Sequence, residues 1–520
     1  MEVGNTNKLL SNRKNLRFNL IFQGVIVGLI TGLVIVLNRL AISKFSVFFK
    51  TLYATAKGNP LKVIGVFCIL IVMGLITGFL ARKEPMISGS GIPQVEGRLL
   101  RKLKMNWFTI LIYKFLGGVM GLAAGLSLGR EGPSVQMGAS IGEGVSKVFK
   151  KTPVNKEFLI TSGASAGLAA AFNSPLSGVI FALEEVHRSF SPMILLPAMA
   201  AALTSDFVTK QFLGVEPVLN SSRLISLPLR YYWTLIILGI LVGVSGVLFS
   251  KGILLFQDIY GKFKNLRVEF KVAIPFIITG VIGFLIPDLL GGGHDLIMSL
   301  FNNDMSIYTM LFYFGIKFLL VLICFGSGVP GGIFLPLLLL GALLGNIFGV
   351  ILSNTFGIPE IFIINFIILA MAGHFASIVK SPITGIVLIM EMTGSFEQLL
   401  SVSLVVFVSY IVSDIFKSDP IYESLLERLL KRVGVSKAKE SANKTLFEIG
   451  VEVGSYVEGK LIKELNFPEE CLLVAIKRGN EEIIPKGNVT ILGGDYLVVL
   501  VSDNKVASML DEFKSLTLMD

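Results

Sequence analysis

Apolar residues in this chain come in blocks rather than in the short alternations of a soluble domain. Near-continuous apolar runs occupy Phe18–Leu37, Leu61–Leu80, Trp107–Ala124, Tyr232–Phe256, Val272–Ile286 and Ser401–Val412. A helix needs about 20 apolar residues to cross a hydrocarbon core of about 30 Å, so these runs predict membrane helices. Between them, up to about residue 416, lie apolar segments too short or too broken by Gly and Pro to span alone. Backbone breaks at membrane depth are tolerated only where protein buries them or where they line a polar cavity, so the glycine breaks are candidate site positions.

The pattern repeats. Gly129-Arg-Glu-Gly-Pro…Gly142 and Gly328-Val-Pro-Gly-Gly…Gly341 share glycines 199 positions apart. Ser174-Pro-Leu-Ser-Gly…Glu184 and Ser381-Pro-Ile-Thr-Gly…Glu391 match 207 positions apart. Two halves, each with a Gly-rich break followed by a Ser-Pro-x-x-Gly helix ending in Glu, predict an internally duplicated transporter with its site near the bilayer midplane.

Beyond about residue 432 the chain becomes charged and soluble in character. We expect a membrane domain over 1–432, a basic linker over 433–442 and a small α/β domain over 443–520. Within the last, Thr445–Val453 reads as a strand and Ser455 as the cap of a helix running to Leu465. Cys471–Ile476 and Glu482–Ile484 flank the turn Arg478-Gly479-Asn480 as a hairpin. Tyr496–Val501 is a further strand and Lys505–Phe513 a closing helix.

Composition sharpens this picture. The 520 residues are 53% hydrophobic and 16% charged, against roughly 25% charged in soluble domains. A soluble enzyme and a disordered chain are excluded. The 54 glycines suit close helix packing in lipid. Three Cys and three His show no metal spacing, so neither a disulfide scaffold nor a metal site is expected. The net charge of +10 does not point to nucleic acid. Lys8, Arg13, Lys14, Arg17, Arg82, Lys83, Arg98, Arg101, Lys102 and Lys104 flank apolar runs, which marks cytoplasmic segments. No cleavable leader is expected, because the first apolar run is long enough to stay in the membrane.

Four segments then converge: Gly89-Ser-Gly-Ile-Pro93, Gly129-Arg-Glu-Gly-Pro133, Gly331-Gly-Ile-Phe-Leu-Pro336 and Asp419-Pro-Ile-Tyr422. In order and spacing they resemble the CLC chloride channels and chloride/proton exchangers over about residues 16 to 430. The resemblance implies an all-α polytopic membrane fold of two inverted-topology repeats with broken helices. It also implies a homodimer in a cell membrane, one anion pathway per subunit, and both termini cytoplasmic. The residues permit such a site. A dehydrated anion needs donors with little full charge, or it would bind too tightly to leave. Helix N-termini supply them, and Pro93, Pro133 and Pro336 fit first turns.

By resemblance, Ser90 and Tyr422 donate hydroxyls to a central chloride, and Gly91, Ile333 and Phe334 offer backbone N–H groups. Glu131 is the gating glutamate, whose carboxylate competes with the anion until protonation frees it. Glu185 is the internal proton relay. Glu184, matched by Glu391, reads as structural. With both Glu131 and Glu185 present, exchange of chloride for protons is favoured, and a passive chloride channel gated by Glu131 is the alternative. A transport-dead ligand sensor is a further reading.

Other matches carry less. Gly326–Gly331 spells a dinucleotide fingerprint but lacks a preceding strand and a following acid. Gly163-Ala-Ser165-Ala-Gly167 spells a nucleophile elbow, the basis of an intramembrane serine hydrolase reading on Ser165. His294 reads as a loop residue and His374 as a satisfied core histidine. Leu461–Leu465, Val474–Arg478, Ile484-Pro485 and Gly494–Leu497 resemble the C-terminal subdomain of the regulator of K⁺ conductance family (RCK, TrkA-C-like). That resemblance implies a dimerising regulatory domain for a small ligand such as cyclic di-AMP. No cofactor is expected, with chloride as substrate.

Overall fold

The computed structural model describes residues 3–150, 152–216, 218–219, 224–301, 305–434, 444–468, 471–479, 481–502 and 505–518. The chain divides into two units, Met1–Val433 and Gly434–Asp520.

The first unit is helical and duplicated. Its first half runs α1 (Val3–Ala56), α2 (Pro60–Lys83), α3 (Ile92–Leu99), α4 (Trp107–Ala123), α5 (Glu131–Val148), α6 (Pro153–Phe172), α7 (Pro175–Phe181) and α8 (Pro192–Leu213). The second half runs α9 (Tyr232–Lys262), α10 (Val268–Leu285), α11 (His294–Leu300), α12 (Ile307–Gly326), α13 (Phe334–Phe356), α14 (Ile363–Val379), α15 (Pro382–Thr393) and α16 (Leu399–Ile415), with α17 (Ile421–Arg432) beyond it. In both halves the third and seventh helices are the short ones. Among the described residues, eight helices are long and apolar enough to cross a membrane. Each apolar run expected from the sequence lies in one helix, though α1 continues well past Leu37.

Glycine sets how closely the long helices pack. A Cβ on Gly138 would fall 2.0 Å from the carbonyl oxygen of Gly163, and one on Gly142 the same distance from that of Leu159. Thus α5 and α6 touch backbone to backbone, as small residues allow in lipid. In the second half Gly345 stands likewise against the Phe366 carbonyl at 2.3 Å, joining α13 to α14.

Reciprocal hydrogen bonds tie the halves together. Gly129 and Gly332 exchange both N–H···O bonds at 2.7 Å. Gly89 N donates to Gly328 O, and its counterpart Gly291 N donates to Gly125 O. The Glu391 carboxylate accepts from Leu176 N, Ser177 N and Ser177 Oγ at the start of α7. In return Glu184 accepts from Ile383 N, Thr384 N and Thr384 Oγ1 at the start of α15. Each half thus caps a helix of the other, satisfying N–H groups that no helix can satisfy internally. The structural reading of Glu184 therefore has a contact behind it.

The second unit is a four-stranded antiparallel sheet of order β1-β4-β2-β3, with β1 (Lys444–Gly450), β2 (Cys471–Arg478), β3 (Glu481–Ile483) and β4 (Tyr496–Ser502), plus α18 (Val506–Thr517). Phe447, Ile449, Ile476, Leu497, Val499 and Phe513 form its core. The helix expected from Ser455 to Leu465 is absent. Gly454 and Gly459 take φ of +89° and +74°, outside the helical region, and only Ile462–Glu464 makes a single 3₁₀ turn. Glu458 instead ties the segment through Gly454 N and Gly493 N. Burial alone would raise the pKa of Asp495. Hydrogen bonds from Arg478 and Leu492 N, with the Arg478 charge, outweigh it and hold the carboxyl below its ordinary value. Most of the expected linker, and Asn480 of the expected hairpin turn, lie outside the described residues.

Candidate functional site

The glycine breaks meet. Gly89 and Gly91 take φ of +64° and +96°, which lets the chain turn sharply into α3. Gly331 N donates to Gly89 O at 3.0 Å, while Gly129 and Gly332 are paired as described. The lead-ins to α3, α5 and α13 are therefore stitched to one another. A Cβ on Gly132 would stand 2.3 Å from Ser90 Oγ, and one on Gly332 would stand 3.1 Å from Gly132 N. Only glycine allows this approach. Around one point the fold gathers Ser90, the first turn of α5 and the start of α13, where Ile333 is the N-cap and Phe334 the first helical residue.

Tyr422 arrives from the far end of the unit, on the first turn of α17, and is fully buried. Its ring meets Phe181 edge-on at 6.4 Å, and Phe181 meets Phe334 at 5.9 Å. Its hydroxyl lies beside Ser90 and within electrostatic reach of Glu131 and Glu185. Ser90 Oγ and Tyr422 Oη are both buried, and neither has a hydrogen-bond partner among the described residues. Leaving a buried hydroxyl unpaired costs about 1–3 kcal/mol, so two side by side are a signal.

Glu131 opens α5 and is fully buried. Among the described residues neither of its carboxylate oxygens has a hydrogen-bond partner, and Arg130 Nε also stands unpartnered. The two neighbours do not form a structural ion pair. A Cβ on Gly129 would lie 2.2 Å from Glu131 Oε2 and 3.2 Å from Leu335 N. The carboxylate therefore rests against the first turn of α13, where N–H groups and the positive end of the helix dipole lie.

Glu185 lies on a π-type turn, Ala182–Val186, that ends α7. Such turns recur at functional sites. The side chain is 4% exposed, so it is no solvated helix end. Its Oε2 accepts from Ser381 Oγ at 2.7 Å.

Two buried lysines escaped the sequence reading. Lys114 Nζ donates to Ile87 O and Gly89 O, directly beneath the Ser90 loop. Lys317 Nζ donates to Leu289 O and Gly291 O. The lysines are 203 positions apart and their first acceptors 202. That offset, with a charge inside an apolar run, is the signal that could have found them. Ser381 was also missed, because nothing local sets it apart from Ser174.

The remaining motifs resolve plainly. Ser165 lies in the middle of α6, fully buried, and its hydroxyl donates to Ala198 O. Gly163 and Gly167 around it pack on the α5 backbone. No strand–turn–helix elbow exists there, and the hydrolase reading falls. Gly326–Gly331 is the turn from α12 to α13, not a strand-to-helix loop. His374 is a satisfied core histidine, with Nδ1 2.8 Å from Leu337 O and Nε2 3.2 Å from Ser245 Oγ. His294 is not a loop residue: Gly293 at φ +102° lets it open α11.

Broken helices in duplicate, with breaks converging on buried neutral donors and an unpaired carboxylate, define a membrane ion-transport protein rather than an enzyme. Comparison with known proteins agrees. The profile described as voltage gated chloride channel matches residues 73–414, and that of the TrkA-C domain matches 446–514. The "H(+)/Cl(-) exchange transporter ClcA" of Salmonella gallinarum is 34% identical over 384 residues, spanning 72% of this chain and 81% of that protein. The crystal structure of a slow cyanobacterial Cl⁻/H⁺ antiporter superposes with a TM-score of 0.76 at 31% identity, over 80% of this chain and 99% of that one. A CLC-type fluoride/proton antiporter gives 0.65 at 25% identity, over 76% and 95%. This chain belongs to the voltage-gated chloride channel (CLC) family and carries a TrkA-C domain at its C-terminal end.

Proposed function

We propose that the protein exchanges chloride for protons across a cell membrane. The observation that carries this is the pair of buried hydroxyls of Ser90 and Tyr422 next to the Glu131 carboxylate, all without a hydrogen-bond partner among the described residues. An anion between the hydroxyls accepts from both, and from the N–H groups of Gly91, Ile333 and Phe334. Such donors replace hydration without the full charge that would trap the ion. The Glu131 carboxylate carries the same charge as the anion and rests against the same kind of donors, so the two compete. Protonation removes that competition, and the proton travels with the carboxyl. Glu185, buried and also within electrostatic reach of Tyr422, relays protons inward. The exchange activity in the names of the relatives at 34% and 31% identity supports the coupled reading.

The protein works as a homodimer with both termini cytoplasmic, in keeping with basic residues flanking the early apolar runs. The TrkA-C domain regulates transport by binding a small ligand such as cyclic di-AMP. The test is purified protein in liposomes. An exchanger drives protons uphill on a chloride gradient, and its reversal potential depends on both ions. A potential that follows chloride alone assigns the passive channel instead. Calorimetric titration of the full chain with cyclic di-AMP tests the regulatory ligand; no heat at high micromolar ligand rules it out.

A further inference from the structure

Ser381 occupies the N-cap position of α15 but does not cap its own helix. Glu184, from the other half, already holds Ile383 N and Thr384 N. The serine hydroxyl is released from the usual capping role and donates to Glu185 Oε2 at 2.7 Å, with Ser381 itself fully buried. Glu185 Oε1 is buried and has no hydrogen-bond partner among the described residues. The other charged groups within electrostatic reach are Arg188, Glu96 and Glu184. Of these, Arg188 is engaged by Glu96 at 3.1 Å and Glu423 at 3.3 Å, and Glu184 by the α15 backbone.

The duplicated position isolates what this contact is for. Ser174 matches Ser381, yet its hydroxyl donates to Phe172 O, and Met392 stands where Glu185 would be. A serine at this place is therefore compatible with the scaffold without any carboxylate. Only in the pairing of α7 with α15 does it meet one.

We infer that Ser381 is a positioning residue for proton transfer through Glu185: its O–H occupies Oε2 in both protonation states and leaves Oε1 to bind and release the proton. On uptake an O–H bond forms at Oε1; on release that bond breaks and its electron pair stays on the carboxylate. The serine O–H is never broken. The inference rests on the relay reading of Glu185.

Full-length protein in liposomes tests both. Ser381→Ala is expected to lower proton flux about tenfold, the rate equivalent of one hydrogen bond to a charged group. Ser381→Thr, which keeps the hydroxyl, is expected to restore it. In a Glu185→Gln background Ser381→Ala is expected to change nothing further. Isotope-edited infrared difference spectra are expected to show the carbonyl stretch of protonated Glu185 moving to higher frequency in Ser381→Ala, a shift that a packing role alone would not produce. Unchanged proton flux and an unmoved carbonyl band in Ser381→Ala overturn the inference while leaving the relay reading intact. Undiminished proton flux in Glu185→Gln alone overturns the relay reading, and the inference with it.

Discussion

The two halves of the membrane unit share a scaffold and differ in chemistry. What they share is structural: buried lysines at 114 and 317, serines at 174 and 381, capping carboxylates at 184 and 391, and glycines where helices touch. What differs lies at the proposed site. At the matching offsets, Ser90 faces Gly292, Arg130-Glu131 faces Val329-Pro330, and Glu185 faces Met392. The first half contributes the acids and the Ser90 hydroxyl, while the second contributes the first turn of α13 against which Glu131 rests. The duplicated positions hold the fold together, and the departures from duplication fall at the proposed site. A position that breaks the repeat thus points to function, and one that keeps it points to architecture.

The largest expected effect breaks the comparison at its centre. Glu131→Gln removes the titratable group, and proton flux should fall by about 100-fold or more, the scale of losing a proton-transfer group. Chloride flux should persist and lose its dependence on pH, because no carboxylate remains to compete. A pH-sensitive dye and a chloride electrode on the same vesicles read both. Chloride flux in Glu131→Gln that still varies with pH would sink the gating role.

A smaller effect separates the paired lysines. Lys114→Met and Lys317→Met each remove a donor shared by two carbonyls; Gly89 O keeps its bond from Gly331 N, and each variant should still cost ~2 kcal/mol of stability. Only Lys114 lies beneath the Ser90 loop, so only Lys114→Met should also weaken chloride binding. Thermal unfolding with isothermal titration of chloride tests the pair. Equal chloride affinities in the two variants would mean that the Ser90 loop holds its place without the lysine.

Much of the architecture is legible in the sequence, for a physical reason. Apolar runs of spanning length have few alternatives in lipid, and fixed glycine offsets report contacts that only glycine permits. Ser90, Glu131 and Tyr422 could be named because each sits in a motif of several residues. Lys114, Lys317 and Ser381 could not, because their meaning lies in partners some 25 or nearly 200 positions away. The false helix after Ser455 failed for a related reason. Ser455 alone reads as a cap, but Gly454 and Gly459 at positive φ commit the backbone to turns. Local propensity loses where glycine fixes the chain's direction.

The smallest effect is the sharpest test of symmetry. Glu184 and Glu391 hold mirror-image caps, each accepting two backbone N–H bonds and one hydroxyl. If both are purely architectural, Glu184→Gln and Glu391→Gln should each cost about 1–2 kcal/mol, the usual worth of a cap, and by similar amounts. The double variant should cost less than the sum, because both carboxylates clamp the same two helices. Proton flux should drop equally and modestly in the two, since α7 and α15 both position Glu185. Glu184 has one distinction, its place in the chain beside Glu185. Were it to carry protons itself, Glu184→Gln would cut proton flux far more than Glu391→Gln while matching it in thermal stability. That split, read from flux and unfolding measurements on the same preparations, would move Glu184 from the scaffold into the proton path, and one carboxylate pair kept by the duplication would then mark function as well.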